Sequence, residues 1–181
     1  METCVALIRG INVGGRNLIS MSALREAVEG AGVIAPRTLL QSGNLVFRTA
    51  SRDLAELEAV LEEVTEARFG IRPDFCIRSA DAWTRIVAAN PFPAVAADSP
   101  DRLLVMFMKR PVAARAVEEL RAAIIGPESL KEVGGEFYIT YPDGIVRSKL
   151  TGQFIEKRVG VRGTARNWNT VFRIAGLLET K

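Results

Sequence analysis

The sequence predicts an α+β fold built from two ferredoxin-like (split β-α-β) subdomains that share a core, with two helices at the C-terminal end. The order of elements predicts this, because it reads β-α-β-β-α-β in the first half and nearly the same in the second. Length agrees, since 181 residues suit one mid-sized domain or two small modules. We therefore predict a first subdomain at residues 1–79 and a second at residues 80–181, which includes the helical pair.

The first half alternates short apolar runs with segments of helical periodicity. A strand over residues 3–9 leads into a glycine-rich loop, and a helix over 21–31 begins after Ser20 or Ser22. The remaining predicted elements are strands at 37–41, 44–49 and 73–78, and a long helix capped by Ser51 that buries Leu54, Leu57, Val60, Leu61 and Val64.

The second half reads β-α-β-β-α, with a helix where a last strand would be expected. Its predicted elements are strands at 103–108, 130–133 and 136–141, a helix with Pro111 in its first turn, and helices at 152–159 and 167–179. The last helix places Trp168, Val171, Phe172, Ala175 and Leu178 on one apolar face, so Trp168 is predicted to be a core residue.

Composition excludes several classes of protein. Histidine is absent, which removes imidazole bases, Ser-His and Cys-His nucleophiles and the commonest transition-metal ligand. Cys4 and Cys76 are too few for a disulfide scaffold or a zinc site, and we expect two buried thiols in a cytoplasmic protein. No apolar run reaches the roughly 18 residues of a membrane span, and the N-terminus lacks a secretory pattern. No membrane partner, metal or cofactor is predicted.

The charge of the chain is unevenly distributed. The formal net charge is +3, but residues 145–181 hold eight Lys or Arg and two acidic residues. The C-terminal stretch is therefore basic and the rest of the chain acidic, which indicates either an anionic partner or a solvated helix surface.

The most unusual run is Arg-Gly-Ile-Asn-Val-Gly-Gly-Arg-Asn at residues 9–17. Glycines after a strand let the backbone approach a ligand, and free amides with an arginine suit an anion. The run lacks the Walker and dinucleotide spacings. The residues predicted to bind a ligand here are Arg9, Asn12, Gly14, Gly15 and Asn17.

Two further runs carry predicted ligand-binding residues. Gln-Ser-Gly-Asn at 41–44 lies at the tip of the predicted hairpin, and the sequence leaves open whether it meets the glycine loop. In the C-terminal stretch, Arg166, Asn167 and Asn169 are predicted in the first turn of the last helix, where amides can receive a phosphate. The predicted binding residues of these runs are Gln41, Ser42, Asn44, Lys149, Arg166, Asn167 and Asn169.

The three runs together, residues 9–15, 41–44 and Thr-Ala-Arg-Asn-Trp-Asn-Thr at 164–170, resemble a widespread bacterial family catalogued as domain of unknown function 1697. The likeness spans essentially the full chain. It implies a cytoplasmic α+β protein of two ferredoxin-like subdomains, and it implies no reaction, substrate or catalytic residue.

The predicted function is non-catalytic binding of an anionic ligand, either a nucleotide or a nucleic-acid phosphate. Two alternatives remain open. One is an enzyme acting on a small phosphorylated or carboxylated metabolite, in which Asp, Glu, Lys, Tyr or Cys would transfer protons. The other is an interaction module whose Asn and Gln side chains tie loops together. The sequence does not determine the oligomeric state.

Overall fold

A computed structural model describes residues 1–12, 14–15, 17–39 and 43–179 of the chain. The chain divides into two compact units, and each unit contains one four-stranded antiparallel sheet. The first unit takes in residues 1–84 and the end of the last helix from Ile174, and the second takes in residues 85–173. The subdomain boundary between residues 79 and 80 stays a prediction.

The first unit has the predicted split β-α-β order. Its sheet runs β2-β3-β1-β4, so β1 is central and pairs antiparallel with β3 and β4. The elements are β1 (Glu2–Ile8), α1 (Met21–Val28), β2 (Ile34–Leu39), β3 (Asn44–Thr49), α2 (Leu54–Phe69) and β4 (Phe75–Ser79), followed by α3 (Ala80–Ala88).

The second unit repeats this topology with the sheet order β6-β7-β5-β8. The α+β class and the pair of ferredoxin-like subdomains are thereby confirmed. Its elements are α4 (Pro93–Asp98), β5 (Leu103–Met108), α5 (Ala114–Ala122), β6 (Ser129–Val133), β7 (Glu136–Thr140), α6 (Gly152–Val159), β8 (Gly163–Asn167) and α7 (Trp168–Glu179), with short 3₁₀ turns at Pro100–Arg102 and Ile145–Arg147.

The prediction that the second half lacks its last strand is wrong, because β8 is that strand. The run Gly-Thr-Ala-Arg-Asn has little apolar alternation and becomes a strand by pairing with β5, which is distant in sequence. Glu156 of α6 accepts a hydrogen bond from the Gly163 amide at 3.0 Å, at the edge of the sheet. Arg166 and Asn167 therefore lie in a strand and not in the first turn of a helix.

Several predicted helix ends shift by a few residues. Ser20 caps α1, as predicted, by accepting a hydrogen bond from the Ala23 amide. The cap of α2 is Asp53, not Ser51, and its carboxylate accepts from the Glu56 amide at 3.0 Å. The helix predicted to open at Pro111 begins at Ala114. On α7, Trp168 is buried as predicted, whereas Phe172 is exposed.

The buried face of α2 is partly polar, contrary to the predicted apolar stripe. Val60 is 37% exposed, whereas Glu58 and Glu62 are buried. Their Oε1 atoms accept hydrogen bonds from the Ile77 and Phe75 amides of β4, at 2.6 Å and 3.0 Å. Because β4 is an edge strand, the two carboxylates satisfy backbone amides that no neighbouring strand reaches.

Each sheet packs one face against the helices of its own unit. Val5 and Leu7, on the other face of β1, are buried as well, as the apolar residues on both faces of that strand predict. No helix in the described ranges is long and apolar enough to cross a membrane. The first core includes Cys4, Ala6, Ile8, Leu24, Leu45, Phe47, Leu61 and Phe75, and the second includes Leu104, Met106, Val117, Leu120, Phe137, Ile139 and Ile155.

Candidate functional site

The glycine loop between β1 and α1 contains an unusual number of left-handed residues. Gly10, Asn12, Gly14, Gly15 and Asn17 have φ values of 74°, 53°, 58°, 75° and 50°. Gly and Asn are the residues that adopt this conformation at least cost, which explains their choice here. The two central glycines are exposed, so the loop presents backbone to solvent.

Asparagine side chains hold the loop together. Asn12 exchanges two hydrogen bonds with the backbone of Ile19, donating through Nδ2 at 3.0 Å and accepting through Oδ1 at 2.8 Å. Asn17 Nδ2 donates to the Gly10 carbonyl at 2.9 Å. These amides are therefore engaged within the protein, which is what the structural alternative expects.

The second predicted run meets the glycine loop within the first unit. Gly43 accepts a hydrogen bond from the Ile8 amide at 2.8 Å, and its Cα faces the Ile11 side chain. Asn44 is fully buried, and its Nδ2 donates to the Leu39 carbonyl at 2.8 Å. Gln41 and Ser42 lie outside the described residues.

Arg9 begins the glycine loop next to an acidic residue. Its amide donates to the Asp74 carbonyl at 2.9 Å, and its Nη1 lies 4.0 Å from the Asp74 carboxylate. The Arg9 side chain is 39% exposed, whereas that of Asp74 is 8% exposed. A ligand at Arg9 would therefore share the guanidinium with Asp74.

The third predicted run is also bonded within the protein. Arg166 Nη1 donates to Thr164 Oγ1 at 2.7 Å and to the Ala165 carbonyl at 2.8 Å. Asn167 Oδ1 accepts from both the amide and the hydroxyl of Thr170, so it caps α7. Asn169 is exposed. The cap occupies one of the amides that the sequence offered to a phosphate.

A cavity of about 620 Å³ opens in the second unit, where the segment after α5, the segment before α6 and α6 itself come together. This volume lies within the range of about 300–1,000 Å³ that is usual for small-molecule sites. Ile124, Pro127, Leu150 and Phe154 form apolar parts of its wall.

Charged side chains line the same cavity. Arg147, Lys149 and Arg158 contribute three cations, and Glu128 and Asp143 contribute two acids. Within the described part of the chain, none of the three cations has a carboxylate at ion-pair distance. The cavity therefore combines an apolar wall with cations that have no acidic partner.

Local contacts fix part of this arrangement. The Arg158 guanidinium lies 5.2 Å from the centre of the Phe154 ring, in a cation–π contact. Ser148 Oγ is hydrogen-bonded to the Glu128 carboxylate and also accepts from the Leu150 amide at 2.9 Å. The Glu128 carboxylate is thus held by a hydroxyl and not by one of the cations.

Lys149 is the one predicted binding residue that lines this cavity in the described part of the chain. The sequence did not predict the other residues that line the cavity, although the basic stretch from residue 145 contains all three cations. The missed part is the apolar wall, because residues 123–128 show no motif and only the fold brings them to α6.

Burial raises the pKa of the Tyr141 and Cys4 side chains. Burial, with a smaller effect from the charge of Glu128, raises the pKa of Tyr141, whose hydroxyl donates to the Leu150 carbonyl at 2.9 Å. Burial and, less strongly, the charge of Glu2 raise the pKa of Cys4 to about 12, so this buried thiol stays protonated at neutral pH. Over the described ranges, no group of three or more Cys, Asp or Glu side chains could hold a metal ion.

Comparison with protein families identifies the chain. The model of the family described as "Protein of unknown function (DUF1697)" matches residues 1–138. The chain belongs to this family. The part matched to DUF1697 contains the glycine loop and the run at 41–44, and it ends before the three cations that line the cavity.

This DUF1697 chain is also similar to a solved structure, that of conserved bacterial protein SP0830 from Streptococcus pneumoniae. The two are 21% identical over 98% of this chain and 99% of that chain, with a TM-score of 0.76. At this identity, the likeness establishes a common fold. No curated protein matches the chain significantly.

Proposed function

We propose that the protein binds an anionic ligand without transforming it, and that the cavity of the second unit is the binding site. The observation that carries the proposal is the set of three cations, Arg147, Lys149 and Arg158, that line the cavity without an acidic partner among the described residues. A phosphate or carboxylate group would complete their electrostatic environment.

Two acids lower the positive charge of this site but do not cancel it. Glu128 is hydrogen-bonded to Ser148, and Asp143 is an exposed residue of the turn after Tyr141. With three cations and two acids in the lining, the net charge at the cavity is +1. The surrounding C-terminal stretch is itself basic and adds a longer-range attraction for anions.

The glycine loop of the first unit is a second candidate for the anion, as the sequence predicts. Its support is the exposure of Gly14 and Gly15 and the partial exposure of Arg9. Against this, Asn12 and Asn17 use their side chains to hold the loop. A cytoplasmic location also remains a prediction, in keeping with two free, buried cysteines.

The test is titration of the full chain with inorganic phosphate, adenosine monophosphate and labelled single- and double-stranded oligonucleotides, at low and high salt. We expect binding of at least one phosphate-bearing probe, with an affinity that falls as salt rises. Lys149→Glu is expected to weaken binding by about 10-fold or more, as loss of a charged hydrogen bond does. Arg52→Glu is the matched control, because Arg52 is an exposed residue of the first unit. Its substitution by Glu changes the net charge by the same amount as Lys149→Glu.

The outcomes separate the candidates. Equal losses in Lys149→Glu and Arg52→Glu would assign the effect to overall charge and would reject the cavity as the site. A loss in Arg9→Ala with unchanged binding in Lys149→Glu would move the site to the glycine loop. No binding of any probe at low salt would reject the proposed function.

A further inference from the structure

We infer that the ligand of the cavity is an amphipathic anion, with an aliphatic body against the apolar wall and a carboxylate or phosphate head at the cations. This inference rests on the proposed function and narrows it. It depends on a different set of residues, the apolar ones, which the anion proposal does not use.

Several apolar residues line the cavity. Ile124, Leu150 and Phe154 line its wall, and Ile125 lies beside them with 87% of its surface exposed. Because Ile125 lines the cavity, an aliphatic ligand bound there would cover its side chain and remove apolar surface from water.

The polar groups of the lining set the class of ligand further. Ser148 is already bonded to Glu128 and to the Leu150 amide. A polar body such as a sugar would need several hydrogen-bond partners in the wall, whereas an aliphatic body needs none. Lys149 and Arg158 line the same cavity as the apolar residues. The anionic head of one molecule can therefore contact a cation while its aliphatic body contacts the apolar wall.

The first experiment measures dissociation constants of the full chain for acetate, hexanoate, octanoate and decanoate below their micelle concentrations, at fixed ionic strength. Burying a methylene strengthens binding by up to about fourfold, so we expect Kd to fall about two- to fourfold per methylene in a half-open cavity. Decanol tests the need for charge, and decyl phosphate compares the two head groups.

The second experiment uses variants. Ile125→Ser should weaken decanoate binding by about fivefold, which corresponds to partial coverage of one isoleucine, and should leave acetate binding unchanged. Leu18→Ser is the matched control, since Leu18 is 74% exposed in the first unit and does not line the cavity. We expect no change in that variant.

The outcomes distinguish a failure of the inference from a failure of the proposed function. If acetate and phosphate bind as tightly as decanoate and decyl phosphate, the amphipathic inference is wrong and the proposed function stands. If decanol binds as tightly as decanoate, the charged head contributes nothing to binding, and the proposed anionic function and the inference that rests on it are both rejected. If anionic phospholipid vesicles bind the chain and the monomeric amphiphiles do not, a membrane surface replaces the small molecule and the inference fails.

Discussion

Gly43→Ala tests how the start of β3 meets the glycine loop. Gly43 has a φ of +73°, and a Cβ there would lie 2.9 Å from Ile11 Cδ1 and Cγ1 and 3.0 Å from Ile8 Cβ. Both isoleucines are 1% exposed, so neither side chain can turn into solvent. Ile8 also belongs to the central strand, whose backbone is held on both sides.

Two physical effects set the size of the loss. A left-handed conformation costs an L-residue about 1–2 kcal/mol. Overpacking a rigid core by a methyl group costs about 1–3 kcal/mol more. We therefore expect Gly43→Ala to lower the free energy of unfolding by about 2–5 kcal/mol in total.

Gly70→Ala separates the two effects. Gly70 ends α2 with a φ of +71°, almost the value at Gly43, and nothing described lies within 4 Å of its Cβ position. Only the backbone cost of about 1–2 kcal/mol is expected there. The difference between the two variants is thus a measure of the contact with Ile8 and Ile11.

The assay is urea unfolding of both variants and the parent chain, followed by circular dichroism and tryptophan fluorescence. In the Ile11→Ala background the crowding side chain is shorter, so the loss of unfolding free energy caused by Gly43→Ala should be smaller by about 0.5–3 kcal/mol, which is the usual interaction energy between residues in contact. Equal losses at Gly43 and Gly70, with no coupling to Ile11, would refute the packing argument.

Four other changes have definite expected outcomes. Glu62→Ala removes the carboxylate that accepts a hydrogen bond from the Phe75 amide of β4, so it should lower the free energy of unfolding in urea by about 1–3 kcal/mol, with a smaller loss in Glu62→Gln. An unchanged free energy of unfolding in Glu62→Ala would contradict this role of Glu62. Asn12→Ala removes two hydrogen bonds to Ile19 and should lower the melting temperature even if no ligand is bound. Asn167→Ala removes the cap of α7 and should cost about 0.5–2 kcal/mol by the same melting assay, whereas Asn167→Ser should retain most of it. The Cys4 thiol, with its pKa raised from 9.0 to about 12, contributes stability that is complete below pH 9 and is lost as pH rises toward 12, by up to about 1.4 kcal/mol per pH unit. Unfolding titrations across that pH range should show this loss, and a Cys4→Ala variant with the same slope would show that other groups cause it.

Most of the fold could be predicted from local pattern. The continuous apolar runs of β1 and β5 and the helical periodicity of α1 placed these elements within a few residues. The predictions fail where the structure of a segment depends on a partner that is distant in the sequence. β8 is a polar run that becomes a strand because it pairs with β5. Glu58 and Glu62 are buried because their carboxylates accept hydrogen bonds from amides of the edge strand β4.

The candidate site was harder to predict for the same reason. The glycines and asparagines at residues 9–17 predicted a loop, because their preference for turns is local. The same residues did not indicate whether their polar groups bind a ligand or one another, and Asn12 and Asn17 bond to the loop itself. Lys149 was found through charge alone, without the apolar wall beside it.

The sequence by itself determined the class of fold, the order of most elements, the lack of histidine in the chain and the basic character of the C-terminal stretch. These features depend on composition and on short-range periodicity, which any single segment displays. The tertiary structure alone decided the last strand, the acceptors of the edge amides and the cavity that joins residues 123–128 to Lys149 and α6. Those features depend on residues far apart in the chain, whose proximity is set by the pairing of strands and the packing of helices on the sheet.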